Sequence, residues 1–126
     1  MFYGFTESES FDDPTILNQF KHYKVVIEKR GDGKGYWHII ILSIDNQDIE
    51  NVVRKISIAL KPDWNAMFYD KDYLYSVFKD KVFKLKMKNN WQLSDYEEVR
   101  KHAKEVDVGD LDLNEVFAHY KKLLGN

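Results

Sequence analysis

At 126 residues, with 44% hydrophobic and 32% charged residues and only six Gly and two Pro, the chain has the size and make-up of one folded domain, which excludes a disordered or fibrous polymer. The absence of cysteine excludes a disulfide framework and any thiolate metal site, and a net charge of −2 offers no bulk attraction to polyanions. No apolar run approaches the roughly 18 residues of a spanning helix, and MFYGFTESES lacks the basic and long apolar regions of a signal peptide, so the expectation is a cytoplasmic protein with no membrane partner.

Taken in order, the first dozen residues carry conflicting signals. Phe2, Tyr3 and Phe5 suit a short edge strand, while Glu7 to Asp13 read as a solvated acidic loop, so residues 1–12 are expected to be loosely ordered. Asp13-Pro14 ahead of Ile16, Leu17 and Phe20 supplies an N-cap and a Pro at the first helical position, predicting a short helix from Pro14 to about Lys21. Tyr23 to Lys29 (YKVVIEK) and Tyr36 to Ile44 (YWHIIILSI) read as two strands of a hairpin, joined by the glycine-rich turn GDGKG. The second strand is apolar on both faces from Ile39 to Leu42, which marks a central strand.

Asp45 is placed to cap a helix in which Ile49, Val52, Val53, Ile56 and Leu60 recur at helical spacing, and Pro62 marks its exit. WNAMFYD, YLYSVFKD and KVFKLKMK then alternate apolar and polar residues across short turns at Asp70 to Asp72 and Lys79-Asp80, predicting an antiparallel meander. Ser94 with Glu97 forms a capping box for a helix to about Glu105. Gly109 interrupts, and Asp112 with Glu115 opens a last amphipathic helix ending at Gly125. The predicted class is α+β: a single-domain sandwich with a central ββαβββ unit, a mostly antiparallel five-stranded sheet, and flanking N- and C-terminal helices.

The sequence does not spell a reaction. GDGKG lacks the spacing of a phosphate-binding loop and leads into a strand, so its glycines serve a hairpin turn. His22, His38, His102 and His119 show no metal-ligand spacing, and His102 and His119 lie among charged neighbours that predict a solvated face. His38, flanked by Trp37 in the densest strand, is expected as a rim or buried histidine held by a hydrogen bond; with Trp37 and Trp64 it is also the candidate lining of a pocket. The carboxylates fall at helix starts and turns, no serine sits in a nucleophile elbow, and neither catalytic residues nor a cofactor are assigned. Enzymatic activity is the weaker expectation.

The meander carries the sharpest functional hint. Residues 71–90 hold six Lys against two Asp, interleaved with aromatic residues, and a sheet presenting lysines beside aromatic faces suits single-stranded nucleic acid. The same lysines are what a protected edge strand shows, and the segment has no Arg, so edge protection is the preferred reading and nucleic acid the alternative. Tyr73, Tyr75, Lys84, Lys86, Lys88 and Trp91 are the candidate binding surface, since Tyr69, Tyr73 and Tyr75 cannot all bury satisfied hydroxyls. The expected partner is another protein, or a second copy joined through a sheet edge near Lys81 to Lys88.

The block from Tyr36 to Lys86 resembles a family of small uncharacterised prokaryotic proteins with a tryptophan-bearing hairpin strand, one helix, and two further runs. Trp37 matches the first feature, Trp64, Phe68, Tyr69 and Asp72 match W-x-x-x-F-Y-x-x-D, and Val77, Phe78, Lys79, Lys81, Val82 and Phe83 match V-F-K-x-K-V-F. The resemblance implies a compact prokaryotic domain and transfers no catalytic residue.

Overall fold

The computed structural model describes residues 1–87 and 97–108, together with Ala118, His119, Lys122 and Leu123. Its framework is a six-stranded sheet in which every neighbouring pair is antiparallel: Phe2–Glu7 (β1), Lys21–Lys29 (β2), Tyr36–Ile44 (β3), Asn65–Tyr69 (β4), Tyr73–Phe78 (β5) and Lys81–Lys86 (β6). The spatial order is β2-β3-β1-β4-β5-β6. Ile49–Ala59 (α1) and Glu97–Glu105 (α2) are helices that accompany it.

The α+β class and the antiparallel sheet are as expected, but the sheet has six strands rather than five. The added strand is the N-terminal segment, and it lies inside the sheet between β3 and β4 rather than at an edge. Its side chains alternate between two buried faces: Phe2 meets the layer beneath α1, and Phe5 meets the layer beneath α2. Gly4 stands opposite Phe68, whose ring occupies the space that a β-carbon on Gly4 would need. Thr6 closes the strand's other side by donating its hydroxyl to the Ile40 carbonyl at 2.7 Å.

The segment expected to be a solvated loop is also structured. Ser8–Ser10 forms a 3-10 turn, Phe11 is buried and bridges to Leu60, and Lys61 donates its N–H to the Ser10 carbonyl at 2.9 Å. The helix expected from Pro14 is a 3-10 helix, Pro14–Gln19, capped by Asp13 and closed by Phe20 donating its N–H to the Leu17 carbonyl, an i to i−3 bond. Asp45 does not cap α1. Its carbonyl accepts the Asp48 N–H in a preceding turn, and Asp48 occupies the cap position without a side-chain bond.

α1 buries Ile49, Val52, Val53 and Ile56 against Leu42, Phe68, Tyr75 and Val77 on one face of the sheet, as the helical spacing requires. On the other face Ile39, Ile41, Met67, Leu74 and Phe78 lie beneath Val99 and Ala103 of α2. Ser57 couples the first layer to the meander, donating its hydroxyl to the Phe78 carbonyl at 2.6 Å while its own carbonyl accepts the Asp80 N–H. That contact holds Asp80 at φ 60° in the β5–β6 turn. The glycine-rich segment is the hairpin turn between β2 and β3, with Gly33 at φ 72° and Gly35 at φ 126°, a conformation that favours residues without a β-carbon. The capping pair Ser94 and Glu97 starts at a residue outside the described ones, as do Gly109 and most of the last helix expected from Asp112 to Gly125.

Gly4→Ala forces a methyl into the Phe68 ring and is expected to cost about 1–3 kcal/mol, the usual range for overpacking a filled site. Adding Phe68→Leu, which removes the obstructing ring edge, should recover part of that loss in denaturant melts; full additivity of the two losses would show that Gly4 is needed for another reason.

Candidate interaction surface

Three of the residues expected to form a binding surface come together, but they bind one another. Tyr75 is buried and donates its hydroxyl to Glu50 at 2.6 Å, so burial first and the Glu50 carboxylate second push its pKa upward. Lys84 lies 3.6 Å from the same carboxylate and 4.4 Å over the Tyr73 ring. This network fastens α1 to β5 and β6. Tyr73 is partly exposed and Lys86 stands opposite it at the sheet edge, while Lys88 and Trp91 lie outside the described residues. The lysine side chains of β6 thus cover an edge, and the one nearest the aromatic rings is already engaged with an acid.

Trp37 and Trp64 also meet, edge to face with centroids 5.6 Å apart, and the Arg30 guanidinium lies 4.4 Å over the Trp37 ring. His38 does not join them. Its strand directs it to the face of β3 opposite Trp37, where its half-exposed ring has Nδ1 2.8 Å from Glu9. Glu9 also accepts the His38 backbone N–H at 2.7 Å. Although burial raises the Glu9 pKa, the bonds from His38 and Ser8 outweigh it and hold the carboxyl below its ordinary value. Two aromatic rings in mutual contact with an arginine above them form a packed rim, and His38 is the hydrogen-bonded rim histidine that its position predicts. His102, expected on a solvated face, instead packs against Phe78 and Phe83 with ring centroids 5.0 and 5.5 Å away.

An acidic group that sequence reasoning passed over sits at the end of β1. Glu7 faces the α2 side of the sheet in a row with Ile39 and Val26, close to Glu9, Glu28 and His119. Burial, then the charges of Glu9 and Glu28, push its pKa up to about 7 against the attraction of His119. His119 stands 2.9 Å from Glu28. Among the described residues no three His, Asp or Glu side chains are placed to hold a metal ion, and no helix is long and apolar enough to cross a membrane.

The remaining surface is the edge of β2. Tyr23, Val25 and Ile27 are 51, 54 and 62% exposed, and Tyr36 beside them on β3 is 57% exposed. Register and hydrogen bonding fix which backbone groups are free. Arg30 donates its N–H to Gly35 at 2.9 Å, so pairs two residues apart along the ladder, Glu28 with Trp37, Val26 with Ile39 and Lys24 with Ile41, exchange bonds across it. Val25, Ile27 and Lys29 therefore direct N–H and C=O away from β3. The His38 N–H, opposite Ile27, turns to Glu9 on the far side, as the same alternation demands. Among the described residues no strand pairs with this edge.

No local signal names β2 as the edge. YKVVIEK reads equally well as an interior strand, and only the position of β1 on the other side of β3 leaves it without a second neighbour.

Glu7 yields a pH prediction. With a folded pKa near 7 against an ordinary 4.5, the folded state holds a proton that the unfolded state has already lost, so stability falls as pH rises from about 4.5 to 7 and is flat above. Glu7→Gln removes that slope. It should raise stability at pH 8 by up to about 3 kcal/mol and change little at pH 4, read from denaturant melts at both values. A gain equal at both pH values would mean that ionisation is not the cause.

Comparison with protein-family models, with curated proteins and with solved structures finds no match to this chain.

Proposed function

We propose that this protein is a binding module that takes up an extended segment of another polypeptide on the free edge of β2, by strand addition. The observation that carries this reading is the conjunction on one strand of outward backbone groups at Val25, Ile27 and Lys29 with exposed apolar side chains at Val25 and Ile27. Backbone hydrogen bonds supply affinity in such complexes, and side-chain contacts on alternate residues supply selectivity. A long edge strand with exposed apolar residues at its centre is otherwise a liability for a monomer, because it templates unwanted pairing. The ligand is an extended protein strand with apolar residues at every second position, able to cover Val25 and Ile27. The lysine-rich meander is the weaker surface, because Lys84 is held against Glu50, Tyr73 and Tyr75.

Ile27→Pro tests the reading. Proline at an edge position removes only an outward N–H and leaves the β2–β3 ladder intact. With a fluorescein-labelled peptide of alternating valine and lysine as probe, the wild-type chain should bind and Ile27→Pro should bind at least about tenfold more weakly, a loss of about 1.4 kcal/mol, with an unchanged circular dichroism spectrum. Equal binding by the two proteins would overturn strand addition at β2. A loss of probe that tracks added salt and Lys84 and Lys86 neutralisation, rather than Ile27, would shift the site to the meander.

A further inference from the structure

We infer that the strand taken up by β2 is β2 of a second copy of this chain, paired antiparallel about a two-fold axis at Val26; this rests on the strand-addition reading. Only residues with outward backbone groups can exchange hydrogen bonds across a new ladder, and on β2 these are the odd-numbered positions from Val25 to Lys29. A two-fold pairing of β2 with itself must therefore centre on one of the residues from Val25 to Lys29; an axis at Glu28 or Lys29 sets that charged side chain directly against its own copy, which leaves Val25, Val26 and Ile27.

Charge and apolar pattern separate the three. Centring on Val25 places Lys24 against the partner's Val26 and sends Ile27 to the partner's Tyr23, at the register break, so that Ile27 gains no regular partner. With the axis at Ile27, Val25 faces the partner's Lys29 and Val26 faces the partner's Glu28. Centring on Val26 sets Val25 against the partner's Ile27 in a hydrogen-bonded pair, and Lys24 against the partner's Glu28 in a close, non-bonded pair, each twice by symmetry. The exposed Val25 and Ile27 of both copies then form one continuous apolar cluster on one face, and the opposite charges lie together on the other. Lys24 donates to the Leu123 carbonyl at 2.7 Å and Glu28 meets His119 through one oxygen, so the ammonium keeps further donors and the carboxylate keeps its other oxygen for the partner. The register break between His22 and Lys24 ends the regular ladder just beyond this set of pairs.

The chain has no cysteine, so a single introduced thiol reports the axis without background. Non-bonded cross-strand partners have α-carbons about 4.5 Å apart, within disulfide reach, whereas residues one pair off the axis are about 7–8 Å from their own copies and beyond it. Sedimentation of the wild-type chain should show a dimer, and mild oxidation should link Val26→Cys into a covalent dimer while leaving Val25→Cys and Ile27→Cys largely unlinked. Far-UV circular dichroism of each variant checks that it folds, and a wild-type mixing experiment, in which excess unmodified chain suppresses the Val26→Cys linkage, provides a second readout.

Linkage at Val25 or Ile27 instead of Val26 would overturn the register. A strictly monomeric chain that still binds the valine–lysine peptide in an Ile27-dependent way would overturn the second copy as occupant while leaving strand addition standing. A monomer that binds no peptide would remove both.

Discussion

The insertion of β1 between β3 and β4 is the constraint on which the rest of this fold depends. The β2–β3 hairpin and the β4–β5–β6 meander are each local structures, built from neighbouring segments and short turns, and they share no ladder. Among the described strands β1 alone pairs with both, Phe2 through Glu7 with Ile44 through Ile39 on one side and Tyr3 through Phe5 with Tyr69 through Met67 on the other. A slip of one residue would move Phe2 and Phe5 to the wrong faces and set Phe68 against a residue larger than glycine. The close approach at Gly4 thus selects the register of a long-range pairing, and the two apolar layers become continuous only once it is made.

The same insertion decides what the ends of the sheet look like. With β1 occupying the inner side of β3, β2 has no second neighbour among the described residues, while β6 closes the other end with lysines at alternate positions. The two edges differ in chemistry. On β6, Lys84 is drawn over aromatic rings and towards Glu50, which uses part of the edge's charge to hold α1 in place. On β2 the charges lie at Lys24, Glu28 and Lys29, and the centre of the outward-bonding stretch is Val25 and Ile27. One edge repels another strand, and the other presents apolar contacts to it.

What could be read from the sequence follows the distance over which its causes act. The strands YKVVIEK and YWHIIILSI, the glycine-rich turn, the apolar stripe of α1 and the three meander strands are set by alternation, helical spacing and turn chemistry within a few residues, and the structure has each of them. Locally, Phe2, Tyr3 and Phe5 suit a short edge strand that runs into the acidic stretch from Glu7. Its burial comes from strands more than thirty residues away, which no local pattern records. Asp45 fails as a cap for a smaller reason of the same kind: the chain makes one more turn before α1 begins at Ile49. For the site, the lysines and tyrosines of the meander attracted notice through composition, although Lys84 and Tyr75 are engaged within the molecule. The exposure of Val25 and Ile27 depends on strand order, and the local acidic run predicts a solvated Glu7 because its burial depends on Val26 and Ile39 beside it.

An exposed apolar edge must either be satisfied once or propagate, and the asymmetry of this sheet bears on which. Head-to-tail stacking of β2 on β6 would build an open fibre, and it would bring the exposed valine and isoleucine against Lys84 and Lys86. Pairing of β2 with β2 about a two-fold axis would consume the receptive edge of both copies and leave, among the described strands, the lysine-bearing β6 edges outward, so that assembly would stop at two. The regular part of β2 is also short, bounded by the register break at Tyr23 and the turn after Lys29, and this limits the registers in which pairing can begin. In the proposed dimer, the geometry that leaves β2 open to pairing is thus also the geometry that closes the assembly.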